Sequence, residues 1–335
     1  MGGSFIQNLV ENLEKYSIIV NKEINSFLSN ISPNNLKKAS IYLTESGGKM
    51  LRPALSIISC EAFGGSQKNA IKTAAAIELI HTFSLIHDDI MDDDDVRRSK
   101  PSVHKVWDNN IAILAGDTLF SKAFELISST KDDIDSIDYI HRTIATVADA
   151  CVKICEGQAE DMGFEKNFNV KEEDYLEMIF KKTGALIAAA TKSGAIMAGA
   201  SQKEIDSIYE YGKLIGLAFQ IQDDYLDLVA DEEKLGKPVG SDIVEGKMTI
   251  IIIHALKNGS LEDKEKLINI LKNNSSKDDI ILAMDILNKY NSLQYASDLA
   301  RKYVADAKKL LSILDDSPYK QLLISIADYV INREK

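Results

Sequence analysis

Two short acidic runs have residue types and spacing that could do chemistry: Asp88-Asp89-Ile90-Met91-Asp92 and Asp223-Asp224-Tyr225-Leu226-Asp227, both of the form Asp-Asp-x-x-Asp. On a helix, residues i and i+4 project only about 40° apart and roughly 6 Å apart along the axis, with i+1 alongside. Each run therefore makes a ledge of carboxylate oxygens. Like charges this close are costly unless protonated or neutralised, so each ledge suits a hard divalent cation. Mg²⁺ binds through a few carboxylates and keeps positions for water and phosphate oxygens. A solvated acidic helix end is the plain alternative for one such run. Two runs, each ending an apolar segment (IELIHTFSLIH, then GLAFQIQ), make it the poorer reading. An EF-hand loop is excluded at residues 92–95, because the alternating ligands, mid-loop Gly and final Glu are absent. The consecutive Asp93, Asp94 and Asp95 read as a solvent-facing extension.

Basic residues gather near the ledges in sequence: Lys49 and Arg52 in GGKMLRP, Arg97 and Arg98 after the first ledge, Lys182 beside Thr183, and Lys237 and Lys247 after the second. The formal net charge is -12, so the overall field repels nucleic acid and anionic headgroups. An anionic substrate must then be held by local cations or by metal. Arg offers a fork and Lys a mobile point charge, a combination suited to diphosphates. No Ser/His/Asp or Cys/His set supplies a side-chain nucleophile. The three cysteines, Cys60, Cys151 and Cys155, form no disulfide framework and no zinc spacing, and read as buried thiols.

Long helices must carry these groups. Prolines occur at 33, 53, 101, 238 and 318, leaving 102–237 uninterrupted. Apolar residues recur at three and four spacing over 71–91, 137–155, 175–197 and 205–229. The run 249–254, TIIIIH, has no partner strand and is predicted helical, while 94–105, 163–171 and 231–247 are predicted loops. The stretch 184–200 is mostly Ala and Gly with Lys192 at its middle. It is too weakly hydrophobic for a membrane span and reads as a tightly packed core helix, with Gly194, Ala195, Ala198 and Gly199 permitting close approach. The N-terminus lacks the features of a secretory signal, and Met-Gly-Gly-Ser at 1–4 fits a cloning remnant. With no linker composition, residues 1–335 read as one all-α domain.

In order along the chain, GGKMLRP at 47–53, HTFSLIHDDIMDDDDVRR at 81–98, GQAEDM at 157–162, KTGALI at 182–187 and FQIQDDYLD at 219–227 resemble the motifs of the trans-type prenyl diphosphate synthase family. The similarity is greatest to its archaeal short-chain farnesyl and geranylgeranyl members and extends through GKPVGSDIVEGK. It implies a single-domain bundle of long antiparallel helices around a deep central cavity, the isoprenoid synthase type, with the ledges facing each other. It also implies a cytoplasmic homodimer. Asp88, Asp92 and Asp223, supported by Asp89, Asp224 and Asp227, would hold Mg²⁺, with Mn²⁺ able to substitute, on an allylic diphosphate. Arg97, Lys182 and Lys237 would hold that diphosphate. Lys49, Arg52, His81 and Arg98 would hold isopentenyl diphosphate, and Lys247 would help close the site. From its own context His81 reads as a core histidine. One departure is Ser99 where family members commonly have Gly, which puts only the loop geometry in doubt.

The implied reaction ionises the allylic diphosphate, adds the isopentenyl double bond to the cation and loses a proton to the released diphosphate. Dipoles of Lys182, Thr183 and Gln220 would stabilise the cation, and the loops after the ledges would act as lids against water. The growing chain would run along the first-ledge helix past Phe83, Ser84, Ile80 and Ile77. Phe83, five positions before Asp88, resembles the chain-length floor of geranylgeranyl and bifunctional farnesyl/geranylgeranyl enzymes, whereas long-chain synthases usually have a small residue there. The alternatives are a long-chain synthase, which Phe83 opposes, and a non-catalytic regulatory subunit. Such a subunit is expected to lack carboxylates from one ledge, but all six are present. A terpene cyclase or head-to-head enzyme would leave Lys49, Arg52 and Arg98 without a substrate to bind.

Overall fold

The computed structural model describes residues 2–130, 137–229, 240–273 and 276–333, with side chains described from residue 9 onward. Its helices are α1 (Gly2–Leu28), α2 (Asn34–Tyr42), α3 (Leu51–Ala62), α4 (Gln67–Met91), α5 (Val103–Val106), α6 (Asn109–Ser128), α7 (Ile137–Phe164), α8 (Glu172–Ile179), α9 (Ala185–Met197), α10 (Gln202–Val229), α11 (Ser241–Glu245), α12 (Ile250–Asn258), α13 (Leu261–Lys272), α14 (Lys277–Lys289), α15 (Ser292–Leu310) and α16 (Pro318–Asn332). The protein is all-α. The run 249–254 enters α12 as a helix, in keeping with its predicted state.

Two compact units are distinguished. The first comprises Met1–Cys151, Leu186–Gly212 and Leu311–Ile326; the second comprises Val152–Ala185, Lys213–Leu310 and Ala327–Lys335. In the first, α4 packs on α6 and α3, α1 lies on α4 and α3, and α2 lies on α6. Most of α4 is buried almost all round, including Ala70, Ala74, Ile77, Leu79 and Ile80, so it is a central rather than a surface helix. Each such Ile or Leu contributes about 1.5–3 kcal/mol through burial. The sequence Ser66 to Asn69 caps its start as a capping box. Gly194 of α9 approaches the backbone carbonyl of Ser56 in α3, where any Cβ would collide, so the small residues of this stretch do set helix spacing. In the second unit, α12 packs on α15 and α8, and α13 on α14.

Five local expectations are corrected. The predicted loop 94–105 contains a minimal antiparallel ladder, β1 (Val96–Arg97) with β2 (Lys100–Pro101), and then α5. The turn residues Arg98 and Ser99 take φ of 52° and 61°, as a two-residue hairpin turn of right-twisted strands requires. The predicted loop 163–171 begins with the last turn of α7, and 231–247 includes α11. The helix predicted over 175–197 is interrupted by a turn of π-helix at Phe180–Gly184. Cys60 and Cys151 are buried, but Cys155 is exposed, because residues four apart sit about 40° apart and one fell beyond the edge of the buried face. Lys237 lies outside the described residues.

Candidate active site

In the first unit, α4 ends at the first ledge, and its last turn closes with the Asp92 N–H donating to the Asp88 carbonyl at 2.8 Å. The three aspartates have different surroundings. Asp92 is exposed and Asp88 half-buried, whereas Asp89 is fully buried. Arg97 reaches back to pair with Asp89, its Nε donating to Oδ1 at 2.7 Å, and also meets Asp94 at 3.2 Å. Burial pushes the Asp89 carboxyl up and the Arg97 guanidinium opposes that shift. Asp89 Oδ2 is buried with no hydrogen-bond partner. The segment after the ledge is tied down: Ser102 Oγ donates to the Asp94 carbonyl at 2.5 Å, Lys105 pairs with Asp93 at 2.9 Å and with Asp95 at 2.8 Å, and the Tyr42 hydroxyl donates to the Pro101 carbonyl at 3.0 Å.

The basic residues assigned to isopentenyl diphosphate divide in a similar way. Arg52 Nη1 lies 3.2 Å from His81 Nε2. Burial, then the Arg52, Arg98 and Arg97 charges, hold the His81 imidazole well below its usual range, so it is neutral and accepts from Arg52. Arg98 donates to the carbonyls of Gly47 and, at 3.3 Å, Leu43. A Cβ on Gly48 would stand 2.9 Å from the Arg98 guanidinium, so glycine there lets the side chain pass over the loop. Lys49 is exposed. Along α4, Ile77 and Ile80 are fully buried, Ser84 Oγ donates to the His81 carbonyl at 2.9 Å, and the half-buried Phe83 ring meets His87 and Phe120 edge-on at 4.8 and 5.2 Å. Phe120 in turn meets Phe124 at 5.1 Å, extending the aromatic row along α6.

In the second unit, α10 carries the second ledge. Asp224 is buried, with the Tyr175 hydroxyl donating to Oδ2 and Gln220 Nε2 donating to Oδ1 at 2.9 Å. Thr183 Oγ1 donates to Gln220 Oε1 at 2.9 Å, so the carboxylate fixes which way the Gln220 amide points and, through it, the Thr183 hydroxyl. Burial, then the Asp242 charge, raise the Asp224 carboxyl well above the usual range. Asp227 accepts from Ser241 Oγ at 2.6 Å and from the Asp242 N–H at 3.1 Å, tying the end of α10 to α11. Asp223 pairs with Arg333 at 2.5 Å.

The π-helical turn sets Lys182 and Thr183 apart from regular helix, a distortion common at functional sites. Gly157 of α7 lies against the Lys182 backbone closely enough that any Cβ would collide. Lys182 Nζ pairs with Asp161 at 2.5 Å. Lys247 pairs with Glu245 at 2.7 Å and with Asp242 at 3.4 Å; burial pulls its ammonium down, but the Asp242 and Glu245 carboxylates outweigh that and raise it. Asp242 is pushed up to about 6 by burial and then by Asp227. Sequence reasoning missed Asp161, Tyr175, Asp242 and Arg333. Asp161 was legible inside GQAEDM. Asp242 was legible inside GKPVGSDIVEGK, whereas Tyr175 and Arg333 act through contacts distant in sequence and carry no local signal.

The donor set fits Mg²⁺: every ledge group is a hard carboxylate oxygen, and Asp89 Oδ2 retains acceptor capacity. Among the described residues no three ligating side chains converge into a cage. Mg²⁺ sites commonly use one or two carboxylates completed by substrate phosphates and water. No described helix is long and apolar enough to cross a membrane.

Residues 33–287 match the polyprenyl synthetase family. The chain is 51% identical to a short chain isoprenyl diphosphate synthase of Methanothermobacter thermautotrophicus, covering 98% of this chain and 100% of that one. It is 44% identical to a geranylgeranyl diphosphate synthase of Methanosarcina mazei, covering 98% and 99% respectively. Among solved structures, a geranylgeranyl pyrophosphate synthetase from Pyrococcus horikoshii superposes with a TM-score of 0.93 at 41% identity, over 98% of this chain and 99% of that one.

Proposed function

The chain belongs to the polyprenyl synthetase family, and from that membership we propose that it is a short-chain prenyl diphosphate synthase, condensing isopentenyl diphosphate head-to-tail with dimethylallyl, geranyl and farnesyl diphosphates. Farnesyl and geranylgeranyl diphosphate are the products and inorganic diphosphate is released. The observation that carries the reading is the second ledge, where Tyr175 and Gln220 hold Asp224 while Gln220 also holds Thr183. It joins a carboxylate site to dipoles that suit a cation and offers no nucleophile to trap one.

Mg²⁺ bound to the ledge carboxylates would neutralise charge building on the departing diphosphate. Asp88 and Asp92 of the first ledge and Asp223 of the second are proposed as Mg²⁺ ligands, with Asp89, Asp224 and Asp227 as supports of their ledges. Arg97 and Lys182, with Lys247, hold the allylic diphosphate, and Lys237 belongs to the same proposal. The allylic C–O bond breaks with its electron pair leaving on the diphosphate. The Lys182 carbonyl, Thr183 hydroxyl and Gln220 amide face the resulting cation with dipoles. Isopentenyl diphosphate, held by Lys49, Arg52, His81 and Arg98, supplies the π-electrons of the new C–C bond. A proton is then lost to the released diphosphate.

Phe83, backed by Phe120 and Phe124, is the proposed floor that stops elongation, with Ser84, Ile80 and Ile77 lining the same helix. The test is incubation of the purified protein with labelled isopentenyl diphosphate and each primer, with and without Mg²⁺, resolving products by chain length. Metal-dependent farnesyl and geranylgeranyl products are expected, with Phe83→Ala extending them by one or more isoprene units. Unchanged lengths in that variant would remove the floor, and no condensation with any primer would remove the synthase reading.

A further inference from the structure

Arg333 lies outside every motif described, yet its side chain ends on the second ledge. The side chain is only 4% exposed. Its Nη2 contacts Asp223 Oδ1 at 2.5 Å and donates to the Phe219 carbonyl at 2.7 Å. Its Nε donates to the Val330 carbonyl at 3.3 Å, and its guanidinium carbon lies 3.8 Å from the centre of the Phe219 ring. Phe219 precedes Asp223 by one turn of α10, so one guanidinium engages the ring and carbonyl of residue i and the carboxylate of residue i+4. A guanidinium buried for the sake of an ion pair is a poor means of stabilising a fold, since an apolar side chain of similar volume usually does as well or better. What a buried, four-point-held guanidinium does supply is direction. The Asp223 side chain, 41% exposed, is held from behind by a group that cannot itself swing.

We propose that Arg333 is a positioning residue for the second ledge: it fixes the Asp223 carboxylate in one orientation so that a divalent cation need not order it on binding. This rests on the reading of Asp223 as a metal ligand. Groups that hold a ligating carboxylate typically matter about 10–100-fold in metal affinity.

The test is the Mg²⁺ dependence of condensation at saturating substrates for the wild type, Arg333→Met, Arg333→Gln, Arg333→Lys and Asp223→Asn, with Mn²⁺ binding in the presence of inorganic diphosphate followed by electron paramagnetic resonance. Arg333→Met and Arg333→Gln are expected to raise half-saturating Mg²⁺ by about 10–100-fold and weaken Mn²⁺ binding in step. The KM for isopentenyl diphosphate should stay within about twofold, because that substrate is bound elsewhere. Arg333→Lys, which keeps the charge but not the fork, should recover part of the shift. If one neutral variant fails to fold, the other is judged by the same shift. An unchanged or lowered Mg²⁺ requirement in the neutral variants, alongside a raised one in Asp223→Asn, overturns the inference and leaves the synthase reading standing. Asp223→Asn with wild-type Mg²⁺ dependence overturns the ligand assignment and the inference together.

Discussion

Glu78, on α4 one turn before His81, is buried, and burial pushes its carboxyl up to about 7 against the opposing pull of Arg52 and Arg98. An acid whose folded pKa exceeds its unfolded value binds protons more tightly when folded. The contribution of Glu78 to stability is therefore greatest below about pH 4.5 and falls as pH rises to about 7, by an amount on the order of 3 kcal/mol. Glu78→Gln removes that penalty, so urea midpoints at pH 5 and pH 8 should differ less in the variant than in the wild type; an equal difference would sink the account. A second residue under strain is Ser99, at φ 61° in the turn after the first ledge. Left-handed backbone costs a non-glycine residue roughly 1–2 kcal/mol. Ser99→Gly should raise the thermal midpoint by about 1–3 °C, whereas a fall would show that the hydroxyl contributes more than the backbone strain removes. At this scale the candidate site was legible as residue types only. The six aspartates look alike in sequence, but Asp89 and Asp224 are the buried members of their ledges because Arg97 and Tyr175 come from elsewhere in the chain to meet them.

Helices were the more legible level, because periodicity is local and α4, α7 and α10 have long apolar faces uninterrupted by proline. The elements that escaped were those made by distant partners. The β1–β2 turn depends on Arg98 reaching the carbonyl of Gly47, and α11 begins where Asp227 accepts from Ser241 and Asp242. The π-helical turn is of the same kind, since Gly157 admits the Lys182 backbone against α7. Gly157→Ala should force those backbones apart at a cost of about 1–3 kcal/mol and lower kcat by displacing Lys182 and Thr183. Calorimetry and steady-state kinetics would check both, and a variant of normal stability and turnover would show that the close approach has no functional weight.

At the scale of the whole molecule, the all-α class followed from proline spacing and apolar periodicity, while the division into two units did not. Its boundaries at 151/152 and 212/213 fall inside α7 and α10, where no change of composition marks them. The net charge of -12 makes each run of aspartates costly, yet Arg97, Arg333 and Gln220 already compensate individual carboxylates within the protein. Folding should therefore not depend on metal, unlike domains whose cores are built around an ion. Chelation by EDTA is expected to abolish condensation while leaving helical circular dichroism and the thermal midpoint unchanged; a chelator-induced loss of helix would contradict this. The turn at Phe180–Gly184 also has an evolutionary corollary. A π turn holds one more residue than an α turn, so it behaves as an insertion absorbed without a loop. A descendant that lost one residue there would become continuous α-helix with the side chains on either side kept near their present register, whereas a one-residue deletion from regular helix would turn every later side chain by about 100°.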